Sequence, residues 1–315
     1  MKDMMLPLGI DRFEKIRTGG FYYIDKTVFI EELLNTQFEV NLITRPRRFG
    51  KTLTMSMLAD FFDIRKDSRQ LFEGLAISDN KELCDKWMNQ YPVLFISLKD
   101  IEDLSFADAY EQLKVTISDL CIEYDYLKDS DKISNSDRTA FMELQNCTAA
   151  KSTVKNSLFM LTRMMQAYYG KSVILLIDEY DVPLAKANEH GHYKQMLNCI
   201  RGILSKSLKT NRYLQFAVVT GCLRIAKESI FTGTNHFVAN SILTDEYSDI
   251  FGFTVSEVER LLDDFGLMDH ASEMQRWYDG YRIGKSDIYC PWDVLNYVKD
   301  LRRDKSAAPK SYWKD

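Results

Sequence analysis

An eight-residue segment, R-P-R-R-F-G-K-T at residues 45–52, constrains the fold of this chain more than any other feature. It follows a short apolar run at 40–44 and precedes a helical pattern at 53–62. A loop that opens a helix offers unpaired backbone N–H groups to phosphate oxygens, while Lys51 adds a positive charge and Thr52 a hydroxyl for Mg²⁺. The order of strand, loop and helix therefore predicts a phosphate-binding site. Its expected binding residues are Pro46, Arg47, Arg48, Phe49, Gly50, Lys51 and Thr52.

The segment departs from the usual pattern G-x-x-x-x-G-K-[ST], because Arg45 occupies the position of the first glycine. Only half of the motif is therefore supported by glycine. G-K-T alone occurs by chance in many long chains and could be an ordinary helix start. The rest of the sequence has to decide between these two interpretations.

A second motif favours the phosphate site. From Lys171 the chain reads K-S-V-I-L-L-I-D-E-Y-D, in which five apolar residues precede Asp178 and Glu179. Such a run is typical of a strand buried on both faces of a parallel sheet, and α/β sheets bind ligands at the carboxyl ends of their strands. Asp178 is expected to hold Mg²⁺ through its water shell, and Glu179, which points the other way, to activate an attacking water. Alternatively, both acids only end a strand and begin a turn.

A third apolar run, residues 214–220, ends in Thr220. In phosphate-binding sheets with an added central strand, a polar side chain at this position touches the γ-phosphate or the attacking water. Thr220 is therefore a catalytic candidate, although β-branched residues also favour strands without any such role. Arg224 and Lys227 follow, and either could neutralise transition-state charge as an arginine finger does; Arg224 is the stronger candidate. Most surface cations have no such role.

These residues together resemble a known family, the bacterial AAA-ATPase-like proteins. In that family the form R-P-R-R-F-G-K-[ST] is usual, so Arg45 matches a family trait. The matching segments run over nearly the whole chain: L-P-L-G-I-D-R-F-E-K-I-R at 6–17, Y-Y-I-D-K-T at 22–27, R-P-R-R-F-G-K-T at 45–52, L-I-D-E-Y-D at 176–181, T-G-C-L-R-I-A-K-E-S-I-F-T-G-T-N at 220–235 and W-Y-D-G-Y at 277–281.

The resemblance implies an α/β fold of the P-loop NTPase type (AAA+/ASCE-like), with a parallel sheet flanked by helices and followed by a small, mainly helical lid domain. It also implies ATP and Mg²⁺ as cofactors, bound by Lys51 and Thr52, with Asp178 and Glu179 as the second acidic motif and Thr220 on the sensor strand. ATP rather than GTP rests on the family alone. The segment 22–27 would pack near the base and ribose, or would only cap the helix that follows it.

Family members typically continue past a P-K-x-Y-W segment, matched here at 309–313, into a domain that resembles the PD-(D/E)XK nucleases. The sequence ends at Asp315, and its last residues offer no separated acidic pair and lysine for two-metal cleavage, so no nuclease activity is expected of it. The resemblance leaves a homo-oligomer or a partner protein possible. It suggests nucleic acid only by analogy with the family.

Strand patterns alternate with helical patterns along the chain, which favours an α/β fold. Strands are expected at 38–44, 92–98, 173–177 and 214–220, and helices at about 105–124, 154–169 and 193–208, with a polar loop at 128–136. From residue 243 the pattern becomes helical, with a capping box at 254–257 and an amphipathic stretch at 293–301. We therefore divide the chain into an ATPase-like core, 1–242, and a lid, 243–315. The W-Y-D-G-Y run is interpreted as aromatic packing around a turn at Asp279 and Gly280.

The composition agrees with this division. The chain has 315 residues, of which 45% are hydrophobic, and this is enough for a large core and more than one unit. No apolar run approaches the ~20 residues that span a bilayer, and no signal-peptide pattern begins the chain, so a cytoplasmic location without membrane contact is expected. The six cysteines are scattered and predict neither a zinc site nor a disulfide framework. A net charge of −5 gives no global footprint for nucleic acid.

Three functions remain open on the sequence. The first is an ATPase in which Mg-ATP binding and slow hydrolysis switch the lid. The second is a nucleotide-binding regulatory scaffold with little or no turnover, which the missing first glycine favours. The third is an interaction module with a vestigial site.

Overall fold

The computed structural model describes residues 4–36, 38–223 and 237–313. The helices and strands follow each other in this order: α1 (Phe13–Thr18), α2 (Val28–Thr36), β1 (Val40–Thr44), α3 (Lys51–Phe62), α4 (Arg69–Phe72), α5 (Lys81–Trp87), β2 (Val93–Ser97), α6 (Phe106–Glu123), α7 (Asn135–Gln145), α8 (Lys151–Lys155), α9 (Ser157–Tyr169), β3 (Val173–Asp178), α10 (Val182–Glu189), α11 (Tyr193–Leu208), β4 (Leu214–Gly221), β5 (Phe237–Asn240), β6 (Phe253–Thr254), α12 (Val255–Phe265), α13 (Ala271–Tyr278), β7 (Asp279–Ile283), β8 (Ser286–Tyr289) and α14 (Pro291–Arg303).

Five parallel strands form the central sheet, in the order β2-β3-β4-β1-β5. The four strands expected from sequence are confirmed, with ends that differ by one or two residues. β4 lies between β1 and β3, as expected of an added central strand. The carboxyl ends of β1, β4 and β3 therefore meet at one edge of the sheet, where parallel strands bind ligands.

Alternation along β3 gives the sheet two apolar faces. Val173, Leu175 and Ile177 pack among residues of α6, α7, α9 and α11, whereas Ile174 and Leu176 pack among residues of α2, α3 and α5. All five side chains are fully buried. Because helices cover both faces, β3 reads as a continuous apolar run rather than an alternating one.

The helical expectations are mostly confirmed. Ser105 accepts a hydrogen bond from the backbone N–H of Asp108 and begins α6, and the complete capping box of Thr254 and Glu257 begins α12. The single helix expected at 154–169 is wrong in detail, since the chain forms α8 and α9 with a break at Asn156. The expected loop at 128–136 overlaps a short 3₁₀ helix, Asp125–Asp129, and the start of α7.

Residues 253–303 contain three α-helices and a three-stranded antiparallel sheet of order β6-β8-β7, and the sequence patterns did not predict this sheet. We call residues 253–313 the C-terminal module. The turn expected at Asp279 and Gly280 is wrong, because these residues begin strand β7, whose pairing with β8 shifts register between Asp279 and Tyr281. Trp277 and Tyr278 instead end α13. The division of the chain after residue 242 stays a prediction.

The N-terminal segment packs against the C-terminal module. Leu6, Leu8 and Tyr22 join the apolar cluster of α12, α13 and α14, and the Tyr22 hydroxyl donates a hydrogen bond to Asp264 at 2.7 Å. The Arg302 guanidinium donates a hydrogen bond to the backbone oxygen of Met4 at 2.8 Å. No helix within the described ranges is long and apolar enough to cross a bilayer.

One buried ion pair connects the segment before α2 with the capping box of α12. The Lys26 ammonium is only 9% exposed, lies 2.6 Å from the Glu257 carboxylate and donates a hydrogen bond to the backbone oxygen of Asp249. Burial lowers the pKa of Lys26, and the Glu257 carboxylate opposes that effect. Removing the partner of a buried charge destabilises a protein more than replacing both partners together.

Glu257→Gln should therefore destabilise the protein by about 2–4 kcal/mol, although glutamine still suits the capping position. In a Lys26→Met background the same change should cost less than about 1 kcal/mol, because no buried ammonium is left unpaired. Urea unfolding of the four proteins of this double-mutant cycle measures the difference. Equal free-energy costs in both backgrounds would show that Glu257 does not stabilise the protein by pairing with the Lys26 ammonium.

Candidate functional site

The loop of residues 45–50 connects the end of β1 to the start of α3, as expected. Arg48 and Gly50 both have left-handed backbone conformations, with φ of 67° and 80°, and Phe49 lies between them. Alternation of this kind is typical of an anion-binding nest, in which successive N–H groups point toward a common centre, and we call residues 48–50 the nest. Its binding of phosphate stays a prediction. Glycine adopts such angles freely, whereas Arg48 is held in a conformation that non-glycine residues seldom adopt.

The side chain of Lys51 lies over this loop. Its ammonium donates hydrogen bonds to the backbone oxygens of Arg45 and Pro46, at 3.1 and 2.9 Å, and contacts the Cys222 thiol at 3.4 Å. Lys51 is 4% exposed. A positive charge is therefore kept beside the nest by the loop's own carbonyl groups.

Arg45, which occupies the position of the first glycine, is fully buried. Its guanidinium donates hydrogen bonds to the backbone oxygens of Thr44, Asn240 and Tyr247, at 3.0, 3.0 and 2.9 Å. Burial lowers its pKa to about 10. This arginine thus fastens the end of β1 to the end of β5 and to the segment after it, and its side chain points away from the nest.

The acidic strand end lies beside the start of α3. The Thr52 hydroxyl donates a hydrogen bond to one carboxylate oxygen of Asp178 at 2.7 Å, and the Thr220 hydroxyl donates one to the other. Asp178 and Thr220 are both fully buried. The sequence predictions that Thr52, Asp178 and Thr220 lie together are thus consistent with the geometry, while their roles stay predictions.

This arrangement fits a magnesium ion. A hydroxyl and a carboxylate lie side by side next to a nest suited to phosphate, and Mg²⁺ is commonly held by one or two protein oxygens together with phosphate and water. Thr52 and Asp178 are the residues that would hold it. Among the described residues no group of three or more acidic, histidine or cysteine side chains could bind a metal without such help.

Glu179 differs from its neighbour in conformation and exposure. Its φ is 53°, its side chain is half-buried, and it lines the same cleft as Lys51 and Thr52. Burial raises the pKa of its carboxyl, the nearby Asp178 raises it further, and the positive charges of Lys51 and Arg47 oppose the shift. Exposed Arg47 thus lies near enough to Glu179 to act on its charge.

Two residues of the acidic motif have contacts that sequence reasoning did not foresee. Asp181 accepts hydrogen bonds from the backbone N–H groups of Cys222 and Leu223, at 2.9 and 2.7 Å, and the Tyr180 hydroxyl donates one to the Leu223 oxygen at 2.7 Å. A Cβ atom on Gly221 would come within 2.6 Å of Asp181 and 2.7 Å of the Tyr180 ring. Tyr180 and Asp181 are the last two residues of the L-I-D-E-Y-D segment, and their presence in that segment was the signal from which their roles could have been found. Arg224 and Lys227 lie outside the described residues.

Arg48 and Phe49 contact the C-terminal module with their side chains. The guanidinium carbon of Arg48 lies 4.5 Å from the ring centre of Trp292, and the ring of Phe49 packs edge-on against Tyr281 at 4.8 Å. The backbone oxygen of Phe49 accepts a hydrogen bond from Gly252 at 3.2 Å. Arg48 and Phe49 thus line the cleft and also contact the C-terminal module.

A cleft of about 380 Å³ lies above the phosphate loop. Its volume is within the range of ligand pockets, which runs from roughly 300 to 1,000 Å³. Three parts of the chain form its walls: the phosphate loop with the start of α3 and Glu179, the N-terminal segment, and the C-terminal module. The wall residues outside the loop include Pro7, Leu8, Tyr22, Tyr23, Phe253 and Trp292.

The segment before α2 fixes a local turn and also lines the cleft, while its packing near a base and ribose stays a prediction. Asp25 accepts hydrogen bonds from the backbone N–H and the hydroxyl of Thr27, at 2.8 and 2.7 Å, and so fixes the turn into α2. Tyr22, Tyr23 and Ile24, directly before it, line the cleft. A local turn and a wall of the cleft thus come from the same six residues.

Known proteins resemble this chain in sequence. The model of a family described as "Predicted AAA-ATPase" matches residues 7–231, well over half of the chain. A protein of Azotobacter chroococcum mcd 1, described as "Uncharacterized protein in vnfD 5'region", is 29% identical over 303 residues, which are 94% of this chain and 52% of that protein. The chain spans about half the length of this curated relative. No solved structure matches the chain significantly.

The burial of Arg45 predicts that restoring the usual glycine will damage the protein. Arg45→Gly should destabilise it by about 3–5 kcal/mol, because three buried carbonyl groups lose their donor and the guanidinium leaves a cavity. Arg47→Gly, the matched change at an exposed neighbour, should cost only about 1 kcal/mol. Urea unfolding measures both, and equal costs would refute the structural role of Arg45.

The raised pKa of Glu179 predicts a specific dependence of stability on pH. Between the carboxyl's unfolded-state and folded-state pKa values, the folded protein binds more protons than the unfolded chain, so stability falls as pH rises through that window. Glu179→Gln removes this cost and should raise Tm by about 2–4 °C at pH 8. The gain should vanish as the pH falls below the ordinary carboxyl value, about 4.3.

Glu259→Gln serves as the control for thermal scans across this pH range, because Glu259 is exposed on α12. Its Tm should follow the wild type at every pH. A Glu179→Gln protein that gains no stability at pH 8 would mean that the carboxylate is not destabilised in the folded state.

Proposed function

This chain belongs to the family of predicted AAA-ATPases, and on that premise we propose that it binds ATP with Mg²⁺ in the cleft above its phosphate loop and hydrolyses it to ADP and phosphate. One observation carries the proposal: Lys51, Thr52 and Glu179 line the same cleft, and the buried carboxylate of Asp178 is hydrogen-bonded to Thr52 behind them. A cation, a metal-binding hydroxyl and a base are the groups that phosphoryl transfer to water requires.

Phosphate binding would use the nest and Lys51. The N–H groups around Gly50 and at the start of α3 would receive phosphate oxygens, and the positive end of the helix dipole would favour their charge. The Lys51 ammonium would exchange its two backbone carbonyl partners for phosphate oxygens. Thr52 and Asp178 would hold Mg²⁺, which neutralises charge on the phosphates when it is bound.

Hydrolysis would use Glu179 as the general base. Its carboxylate would accept a proton from a water molecule as the water oxygen forms a bond to the γ-phosphorus and the bond from phosphorus to the β–γ bridging oxygen breaks. ADP then carries the electron pair of that bond. The position of Glu179 on the cleft wall, next to a buried second carboxylate, supports this role.

The base and ribose would lie in the remainder of the cleft. Tyr22, Tyr23 and Ile24 form one side, and Pro291 and Trp292 form another. Apolar and aromatic walls with few polar groups suit a purine ring. Because the second side belongs to the C-terminal module, we propose that this module acts as the lid and changes position with the state of the nucleotide.

A second candidate function is a regulatory scaffold that binds ATP without useful turnover. The departure of the loop from the usual pattern favours it, because the buried Arg45 stands where that pattern has its first glycine. The two functions differ in turnover and share the binding site.

Three proteins compared side by side test the proposal. Lys51→Ala should weaken Mg-ATP binding at least about 100-fold, because it removes the cation of the loop. Glu179→Gln should bind within about 3-fold of the wild type and lose turnover by a factor of about 10²–10⁴, because the amide cannot accept a proton. Calorimetric titration measures binding, and release of phosphate measures turnover.

Lys194→Ala, a change at an exposed lysine of α11 outside the cleft, is the matched control and should leave both measurements unchanged. Binding without turnover in the wild type would select the scaffold. The absence of Mg-ATP binding to folded wild-type protein would reject both functions.

A further inference from the structure

The Arg48 guanidinium contacts a cradle formed by Trp292 of α14 and by Tyr312 and Trp313 near the end of the described chain. Its carbon is 4.5 Å from the ring centre of Trp292 and 5.4 Å from that of Trp313. One of its nitrogens donates a hydrogen bond to the backbone oxygen of Tyr312 at 2.9 Å. A planar guanidinium that contacts two indoles and donates to a carbonyl oxygen is in a geometry that lysine cannot reproduce.

The cradle is itself held by the first turn of α14. The Trp292 indole N–H donates to the same Tyr312 oxygen at 3.0 Å, and the Trp313 indole N–H donates to the Asp293 carboxylate at 2.8 Å. The Tyr312 hydroxyl donates to Asp300 at 2.9 Å. The segment 309–313, which we call the tail, is thus docked on α14 with Arg48 as a further contact from the loop.

Arg48 is also the residue whose backbone the nest requires in a left-handed conformation. A non-glycine residue seldom adopts this conformation and keeps it only where surrounding contacts fix it. The side chain contacts with Trp292, Trp313 and Tyr312 are such contacts. The conformation that presents N–H groups to phosphate and the docking of the tail therefore depend on the same residue.

We propose that Arg48 is a positioning residue that couples phosphate binding in the loop to docking of the tail. The coupling rests on the proposed function, since it needs a nucleotide in the cleft. Phosphate in the nest stabilises the left-handed conformation of Arg48, which places the guanidinium between the two indoles. A docked tail holds Arg48 in that conformation before the nucleotide arrives, and the effect is reciprocal because the two events share one free energy.

Trp313→Ala tests the coupling from the side of the tail. Trp313 is 40% exposed and lies outside the cleft, so its truncation removes a contact of Arg48 without touching the nucleotide. It should weaken binding of Mg-ATPγS, a slowly hydrolysed analogue, by about 3- to 10-fold. Trp277→Ala is the matched control, because Trp277 is 50% exposed in the same module and should leave the affinity unchanged.

Hydrogen exchange tests the coupling from the side of the nucleotide. Mg-ATPγS should slow exchange of the backbone amides at 310–313 in the wild type by a factor similar to the loss of affinity in Trp313→Ala. Arg48→Lys should abolish this nucleotide-dependent protection and weaken binding to a similar extent. Adding Trp313→Ala to Arg48→Lys should weaken binding little further, because both changes remove the same contact. A merely structural role of Arg48 would not make tail exchange depend on the nucleotide.

The outcomes separate this inference from the proposed function. The coupling is wrong and the function stands if two results are obtained together. Trp313→Ala and Arg48→Lys bind Mg-ATPγS as tightly as the wild type does, and the nucleotide does not change hydrogen exchange in the tail. If folded wild type binds no nucleotide, both are wrong. If weaker binding in Arg48→Lys adds fully to that in Trp313→Ala, the two residues act separately and the coupling is also wrong.

Discussion

Two hydroxyl groups donate hydrogen bonds to the buried carboxylate of Asp178, and the rest of the site depends on this contact. Thr52 lies at the start of α3, Asp178 ends β3 and Thr220 lies near the end of β4. Elements far apart in sequence therefore meet at the two carboxylate oxygens of Asp178. A buried carboxylate is tolerated only when hydrogen bonds replace its lost water. Parallel pairing of β3 with β4 supplies one donor and the start of α3 supplies the other, so both oxygens of the Asp178 carboxyl group are hydrogen-bonded within an apolar layer.

Side-chain contacts fix the backbone conformation of this loop, whereas a glycine-rich loop depends on the conformational freedom of glycine. Arg45 points into the protein and donates hydrogen bonds to backbone carbonyl oxygens, while Arg48 and the buried Phe49 contact the C-terminal module. Glycine permits an unusual backbone conformation, whereas these side chains impose one. The conformation of the nest therefore depends on contacts with distant parts of the fold. The C-terminal module contacts the loop at the residues that would hold the phosphates.

The sequence was sufficient to predict four strands of the central sheet and the meeting of Thr52, Asp178 and Thr220, because buried parallel strands leave continuous apolar runs and their ends share one edge. It failed where the determining contacts are non-local. Short strands such as β5, β6 and β8 carry too few residues for a period to be read, and the pairing of β7 with β8 overrides the turn signal of Asp279 and Gly280. The side-chain directions of Arg45 and Arg48 were equally hidden, since partners such as Asn240 and Tyr312 lie more than 190 residues away in sequence.

Residues near both ends of the described chain help to form the walls of the cleft. The N-terminal segment packs on α12, α13 and α14, and the Arg302 guanidinium donates a hydrogen bond to the Met4 oxygen. On a ribosome, the sheet and the phosphate loop can fold as soon as β4 and β5 have emerged, because folding of nascent chains proceeds from the N-terminus. The first residues of the chain, however, have no surface to pack on until α14 is complete. Until α14 has emerged, the cleft therefore has only the wall formed by the phosphate loop, the start of α3 and Glu179.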